Sequence, residues 1–146
     1  LEKEDSVNNM PACNECGQWP QPSLAVDAIA IRGSKILLIT RGNEPWKGML
    51  AFPGGFVELG ENPEDAVVRE LKEECGLDGR VLRLLCVKGN PERDPRGHII
   101  SIAYLIDASG EPIAGDDAES ANWYEISQVK EMAGDHMSML DYLKQF

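Results

Sequence analysis

The segment Gly55–Leu77, GFVELGENPEDAVVRELKEECGL, decides how the chain is read. Asn62 is followed by Pro63 and two acids, Glu64 and Asp65. That is a helix start: a side-chain cap, a proline whose missing N–H costs nothing in the first turn, and negative charge at the positive end of the helix dipole. Gly76 supplies the stop, so a helix is predicted over 63–75. At 100° per residue, Val67, Val68, Leu71 and Cys75 share one arc and should be buried. Glu70, Glu73 and Glu74 share a second arc, with small Ala66 among them. Like charges three and four apart repel by a few tenths of a kcal/mol each, roughly, so stacking three carboxylates gains a helix nothing. A divalent cation such as Mg²⁺ or Mn²⁺ takes hard oxygen ligands and turns that cost into binding. Glu61 can lean over the same end, and Arg69 can hold a carboxylate in a bidentate pair. A solvated acidic face is the plainer alternative. Gly54 and Gly55, just upstream, let the backbone present its own groups to a ligand.

Outward from the helix, Leu24–Ile31 (LAVDAIAI) reads as a buried strand, interrupted only by Asp27. Arg32–Lys35 is a turn and Ile36–Thr40 the returning hairpin partner. Short strands are expected at Met49–Phe52 and Phe56–Leu59, longer ones at Val81–Val87 and Ile99–Asp107, and a last one at Ala121–Glu125. Residues 88–98 and 108–120 read as loops. Helical turns are expected over Ser127–Met132 and, capped by Asp135, to about Lys144. Helices inserted among strands imply an α/β or α+β layering. Residues 1–22 read as an irregular leader and 23–146 as the single domain.

The chain has 146 residues, 42% of them hydrophobic and 27% charged, enough for one domain with a real core. Its formal charge of -11 disfavours nucleic acid and anionic membranes as partners, but not a small anion with a metal ion between. No apolar run approaches membrane-spanning length. Leu1–Asp5 lacks the basic and apolar regions of a signal peptide, and four cysteines fit a reducing setting, so a cytoplasmic location is expected. The chain does not open with Met; either Met10 lies near the natural start or the chain is a fragment.

Gly55-x5-Glu61-x7-Arg69-Glu70-Leu71-x-Glu73-Glu74-x-Gly76-Leu77 resembles the Nudix box, GX5EX7REUXEEXGU, at every fixed position. The resemblance implies an α/β/α sandwich with a mixed sheet and a catalytic Nudix helix. It implies a pyrophosphohydrolase acting on a nucleoside diphosphate linked to another group, with Mg²⁺ or Mn²⁺. Glu70, Glu73, Glu74 and the Gly54 carbonyl would hold the metal, with Arg69 and Glu61 orienting them. The general base comes either from the box or from a later loop, where Asp117 and Glu119 are the candidates.

The loop Gly89–His98, GNPERDPRGH, sets two Arg and a His in an acidic protein. Arg suits bidentate binding of phosphate, so Arg93 and Arg96, with Pro91 and His98, are candidate substrate contacts. A surface loop with internal Arg–Asp pairs is the alternative, and His98 is equally readable as a loop pin. The stretch resembles the ADP-ribose pyrophosphatase branch of the family, where cleavage gives AMP and ribose 5-phosphate; NADH, diadenosine polyphosphates and oxidised dNTPs are alternative substrates. A ligand sensor without catalysis, and an interaction domain with its acidic face as a docking surface, are the alternatives from other classes. Adenine needs a flat partner, with Trp46 first and Phe52, Trp19 and Tyr104 also available; an edge-packed Trp46 is the plainer alternative. Cys13 and Cys16 resemble half of the zinc ribbon of NADH pyrophosphatases, so structural Zn²⁺, shared between two chains, stands beside free thiols. The branch resemblance also implies a homodimer.

Overall fold

The computed structural model describes residues 20–115 and 118–145. Cys13, Cys16, Trp19 and Asp117, and with them the zinc expectation, lie outside the described residues. Strand β1 (Ser23–Arg32) is the hub. It runs parallel to β6 (Ile99–Ala108) from Ser23 opposite Ile99 to Ala30 opposite Ile106. Its other edge is divided. Ala25–Asp27 pair with β4 (Gly54–Phe56), and Ile31 and Arg32 pair with β2 (Lys35–Arg41). Outside β6 lies β5 (Gly79–Lys88), antiparallel. Strand β2 carries β3 (Leu50–Ala51) on one edge and β7 (Ala118–Glu125) on the other.

Both faces of this mixed sheet are covered, which is why LAVDAIAI and ILLI are apolar without alternation. Side chains still alternate by face. Val26, Ala28 and Ala30 of β1, with Leu37 and Ile39 of β2, pack against helix α1 (Pro63–Cys75) through Val67, Leu71 and Cys75. Ile29, Ile36 and Leu38 point the other way, into a second core with Phe52, Met132, Met139 and Leu140. The second cover is short: helix α2 (His136–Leu140) followed by a 3₁₀ turn, Asp141–Gln145.

Helix α1 has the bounds its sequence predicts. Asn62 accepts from the Glu64 N–H at 3.0 Å, and Gly76, at φ 70°, donates its N–H to the Lys72 carbonyl. Burial pushes the Cys75 thiol up to about 12. Elsewhere the structure departs from expectation. Strand β7 begins at Ala118 rather than 121, because β2 offers a ladder as far as Arg41 and Ser120 Oγ donates to Thr40 Oγ1 at 2.8 Å. The expected helix at Ser127–Met132 is a single 3₁₀ turn, Ile126–Gln128. Asp135 makes no side-chain cap; its carboxylate is taken by Arg93. Among the described residues no helix is long and apolar enough to cross a membrane.

Leu71 is fully buried between α1 and the sheet. Leu71→Ala is expected to cost about 2–5 kcal/mol in urea unfolding, with the m-value unchanged. A smaller loss would mean that α1 is not packed as described.

Candidate active site

Two glycines set how closely α1 can approach the sheet. A Cβ on Gly55 would run into the Glu70 carboxylate, and one on Gly54 into the Val26 carbonyl oxygen. Bare backbone at both positions lets the helix lay its carboxylates on β4. The far end of the helix is tied down as well. Ile113 N–H donates to the Cys75 carbonyl and Gly115 N–H to the Glu74 carbonyl, each at 2.8 Å.

The guanidinium of Arg69 gathers the box. Nε and Nη2 donate to the two oxygens of Glu61 at 2.8 and 3.0 Å, and Nη1 donates to Glu70 at 2.8 Å and to Glu73 at 3.2 Å. Nη2 also reaches the Phe56 carbonyl at 3.1 Å. These hydrogen bonds hold the Glu61 carboxyl below its usual range and push the Arg69 guanidinium up. A plain solvated face is not what forms. Glu74 is 7% exposed and Glu70 is half-buried; only Glu73 is open to solvent. Among the described residues no three metal-ligating side chains already converge on one point. The donor set nevertheless suits a hard divalent cation: carboxylates of Glu70, Glu73 and Glu74 on one side of α1, with glycine backbone beside Glu70.

Glu70 and Glu74 open onto a cleft of about 370 Å³ that Gly54 and Gly55 also line. The cleft brings in Trp46, Phe52, Arg93 and Arg96 from the predicted set. Their roles differ from expectation. Trp46, at φ 61° after a cis Glu44–Pro45 bond, packs on Gly134 and borders the cleft. Phe52 is 2% exposed and stacked on His136 at 5.0 Å between ring centres, so it supports that imidazole and offers no free face. Tyr104 is buried in the core. Arg93 is a clamp: its side chain is 8% exposed, Nε and Nη2 bind both oxygens of Asp135 at 2.9 and 2.7 Å, and Nη1 donates to Ser101 Oγ at 2.9 Å. Arg96 is more open, paired with Asp94 at 2.8 and 3.0 Å and lying over the Phe56 ring. Those bonds hold Asp94 below the usual carboxylate range.

Glu61, Arg69 and Glu73 of the box are not part of the cleft lining, and neither are Pro91, His98 and Glu119. Pro91 is exposed in the turn that Arg93 N–H closes on the Asn90 carbonyl. His98 is exposed and pins Gly89 through Nε2 at 3.0 Å. Glu119 is exposed on β7.

The cleft also holds residues that sequence reasoning did not place there: Asp27, Arg41, Asp135 and His136. Asp27 was visible as the one charge in an apolar strand. It is 6% exposed, and burial pushes its carboxyl up despite His136 and Arg93 nearby. Burial pushes the His136 imidazole down. Burial also raises Asp135, but its Arg93 bonds overcome that and leave it below the usual range.

A model of the NUDIX domain matches residues 21–144, and the chain belongs to the Nudix family. Over 125 residues it is 50% identical to the ADP-ribose pyrophosphatase of Methanocaldococcus jannaschii, covering 84% of this chain and 74% of that protein. It is 33% identical over 132 residues to the ADPR responsive transcriptional repressor of Acinetobacter baylyi, of which it spans only 53%. The crystal structure of a MutT NUDIX hydrolase from Burkholderia pseudomallei matches with a TM-score of 0.77 at 30% identity, covering 85% of this chain and 99% of that one. The α/β/α sandwich expected from the box is therefore the fold, and the chain is a Nudix pyrophosphohydrolase.

An acid whose pKa is raised by folding opposes folding once the pH exceeds its unfolded value of ~3.9. Asp27→Asn is therefore expected to raise Tm at pH 7, the gain vanishing as the pH falls below that value. A lower Tm at pH 7 would show that attraction to His136 and Arg93 outweighs burial.

Proposed function

We propose that the protein hydrolyses the diphosphate of ADP-ribose, giving AMP and ribose 5-phosphate, with Mg²⁺ or Mn²⁺. The observation that carries this is one cleft in which the box carboxylates Glu70 and Glu74 share walls with Trp46 and with the Arg-bearing loop. The 50% identity to an archaeal ADP-ribose pyrophosphatase supports the substrate.

Glu70, Glu73, Glu74 and the Gly54 carbonyl would hold the cation, which when bound neutralises diphosphate charge and lowers the pKa of a water. Arg69 keeps Glu61, Glu70 and Glu73 in one array, from which Glu70 and Glu73 would turn toward a common point to hold the cation. Glu70 and Glu74 open on the cleft and would accept the proton of an attacking water, whereas Glu119 is exposed on β7 outside the cleft lining. Arg96, at the mouth, can exchange its Asp94 partner for a substrate phosphate. Trp46 offers the adenine a flat wall. A homodimer belongs to the same proposal and rests on the resemblance; a cytoplasmic location rests on four cysteines that fit a reducing setting.

Ligand sensing without turnover is the second reading, favoured by the identity to an ADPR responsive repressor. Turnover separates the two. With Mg²⁺, ADP-ribose is expected to lead NADH, diadenosine tetraphosphate and 8-oxo-dGTP by about tenfold or more in kcat/KM, yielding AMP. Chelation with EDTA should abolish the reaction, and Glu74→Gln should lower kcat/KM by about 10²–10⁴ if it handles the proton. Another leading substrate would keep the Nudix chemistry and remove ADP-ribose. No turnover with either metal would favour sensing.

A further inference from the structure

The reaction as proposed uses the glutamates of α1 and leaves one corner of the cleft unexplained. Asp27 and His136 meet there, on the face of β1 opposite α1. Phe52 N–H donates to His136 Nδ1 at 3.2 Å, which leaves the ring proton of a neutral imidazole on Nε2. That Nε2 lies 3.7 Å from Asp27 Oδ1, beyond hydrogen-bond length; the Ser101 hydroxyl beside Asp27 favours its charged form, yet Asp27 Oδ2 is buried with no partner at hydrogen-bond distance. Both residues line the cleft, and Ser101 lines it beside them. The corner is held stiffly. Phe52 stacks on the imidazole, and the Arg93–Asp135 pair fixes the residue before it.

A buried carboxylate oxygen without a partner is costly, so its persistence in a cleft calls for a ligand that donates to it. The imidazole N–H beside it calls for an acceptor. A phosphate oxygen would meet the negative charges of Asp27 and Asp135. A metal cation would meet the N–H of His136 and the guanidinium of Arg93. A hydroxyl group both donates and accepts and carries no charge.

We infer that the Asp27–His136 corner is a subsite for ribose hydroxyls, Asp27 Oδ2 accepting from one hydroxyl while His136 Nε2 donates to the sugar. It rests on the proposed function for the identity of the ligand. Its place beside Gly54, whose Cα would bring a Cβ to 2.8 Å from Asp27 Oδ1, sets the sugar next to the diphosphate. Asp27 is then a specificity-determining residue, acting on which diphosphate is held.

The test is binding to the full chain without divalent cation, by calorimetry or by amide shifts, so that it does not depend on turnover. Ligands are ADP-ribose, ADP, 2′,3′-dideoxy-ADP and ribose 5-phosphate, against wild type, Asp27→Ala and Asp27→Asn. Asp27→Ala is expected to weaken ADP-ribose about tenfold, with a smaller loss for Asp27→Asn, which keeps the shape and one acceptor. If ribose 5-phosphate weakens and ADP does not, the corner holds the distal ribose. If ADP weakens and its dideoxy form does not, it holds the adenosine ribose. Equal loss for ADP and dideoxy-ADP, equal loss for all ligands, or no loss overturns the subsite. Should Asp27→Ala fail to fold, Asp27→Asn carries the comparison. Hydrolysis of ADP-ribose by wild type with Mg²⁺ is read separately. Turnover without this discrimination removes the subsite alone, and discrimination without turnover removes the hydrolase function alone.

Discussion

Everything chemical in this protein depends on a missing side chain. Glu70 can lie against β4 only because residue 55 has no Cβ, and β4 can lie against β1 only because residue 54 has none. A methyl at either place would push the helix or the strand outward. That would separate the carboxylates of α1 from the cleft, which β1 and β4 also line. The charge that such an approach concentrates is managed by one guanidinium. Arg69 spans Glu61, Glu70 and Glu73, so the acidic face is an array with fixed orientation before any ligand arrives.

The positive side of the cleft is arranged differently. In an acidic protein, two arginines in one loop read naturally as ligands for an anion. The structure divides the labour between them. Arg93 spends its hydrogen bonds on Asp135, Ser101 and the Ile99 carbonyl, and so ties the loop after β5 to the segment that carries His136. Arg96 is bound to Asp94 only two residues away and stays half open to solvent. The first builds the wall of the site, and the second can yield to a ligand.

Local physics made much of this readable. The helix over 63–75 was marked by its cap, its proline and its glycine, and the box carboxylates by a like-charge repulsion that calls for a counter-charge. The long strands followed from apolar runs. What could not be read was set by distant partners. The start of β7 depends on the length of β2. Asp135, which its local sequence offers as a cap, is drawn to Arg93 instead. Phe52 as a support, and Asp27 with His136 as a pair, arise from contacts between β1 and a segment far along the chain. Only the oddity of an Asp in LAVDAIAI hinted at it.

The parallel pairing of β1 with β6 bears on how the chain comes to be folded at all. Ser23 sits beside Ile99, and between them runs the entire box with its helix and both glycines. Closing that loop must precede the pairing energy that rewards it, and non-local ladders of this kind form slowly. The catalytic helix lies inside the loop that this ladder closes, next to the shorter-range pairing of β1 with β4. The cleft beside the box is complete only when β1 holds β4 on one edge and β6 on the other, so occupancy of the box by a cation would serve as a reporter of the assembled sheet.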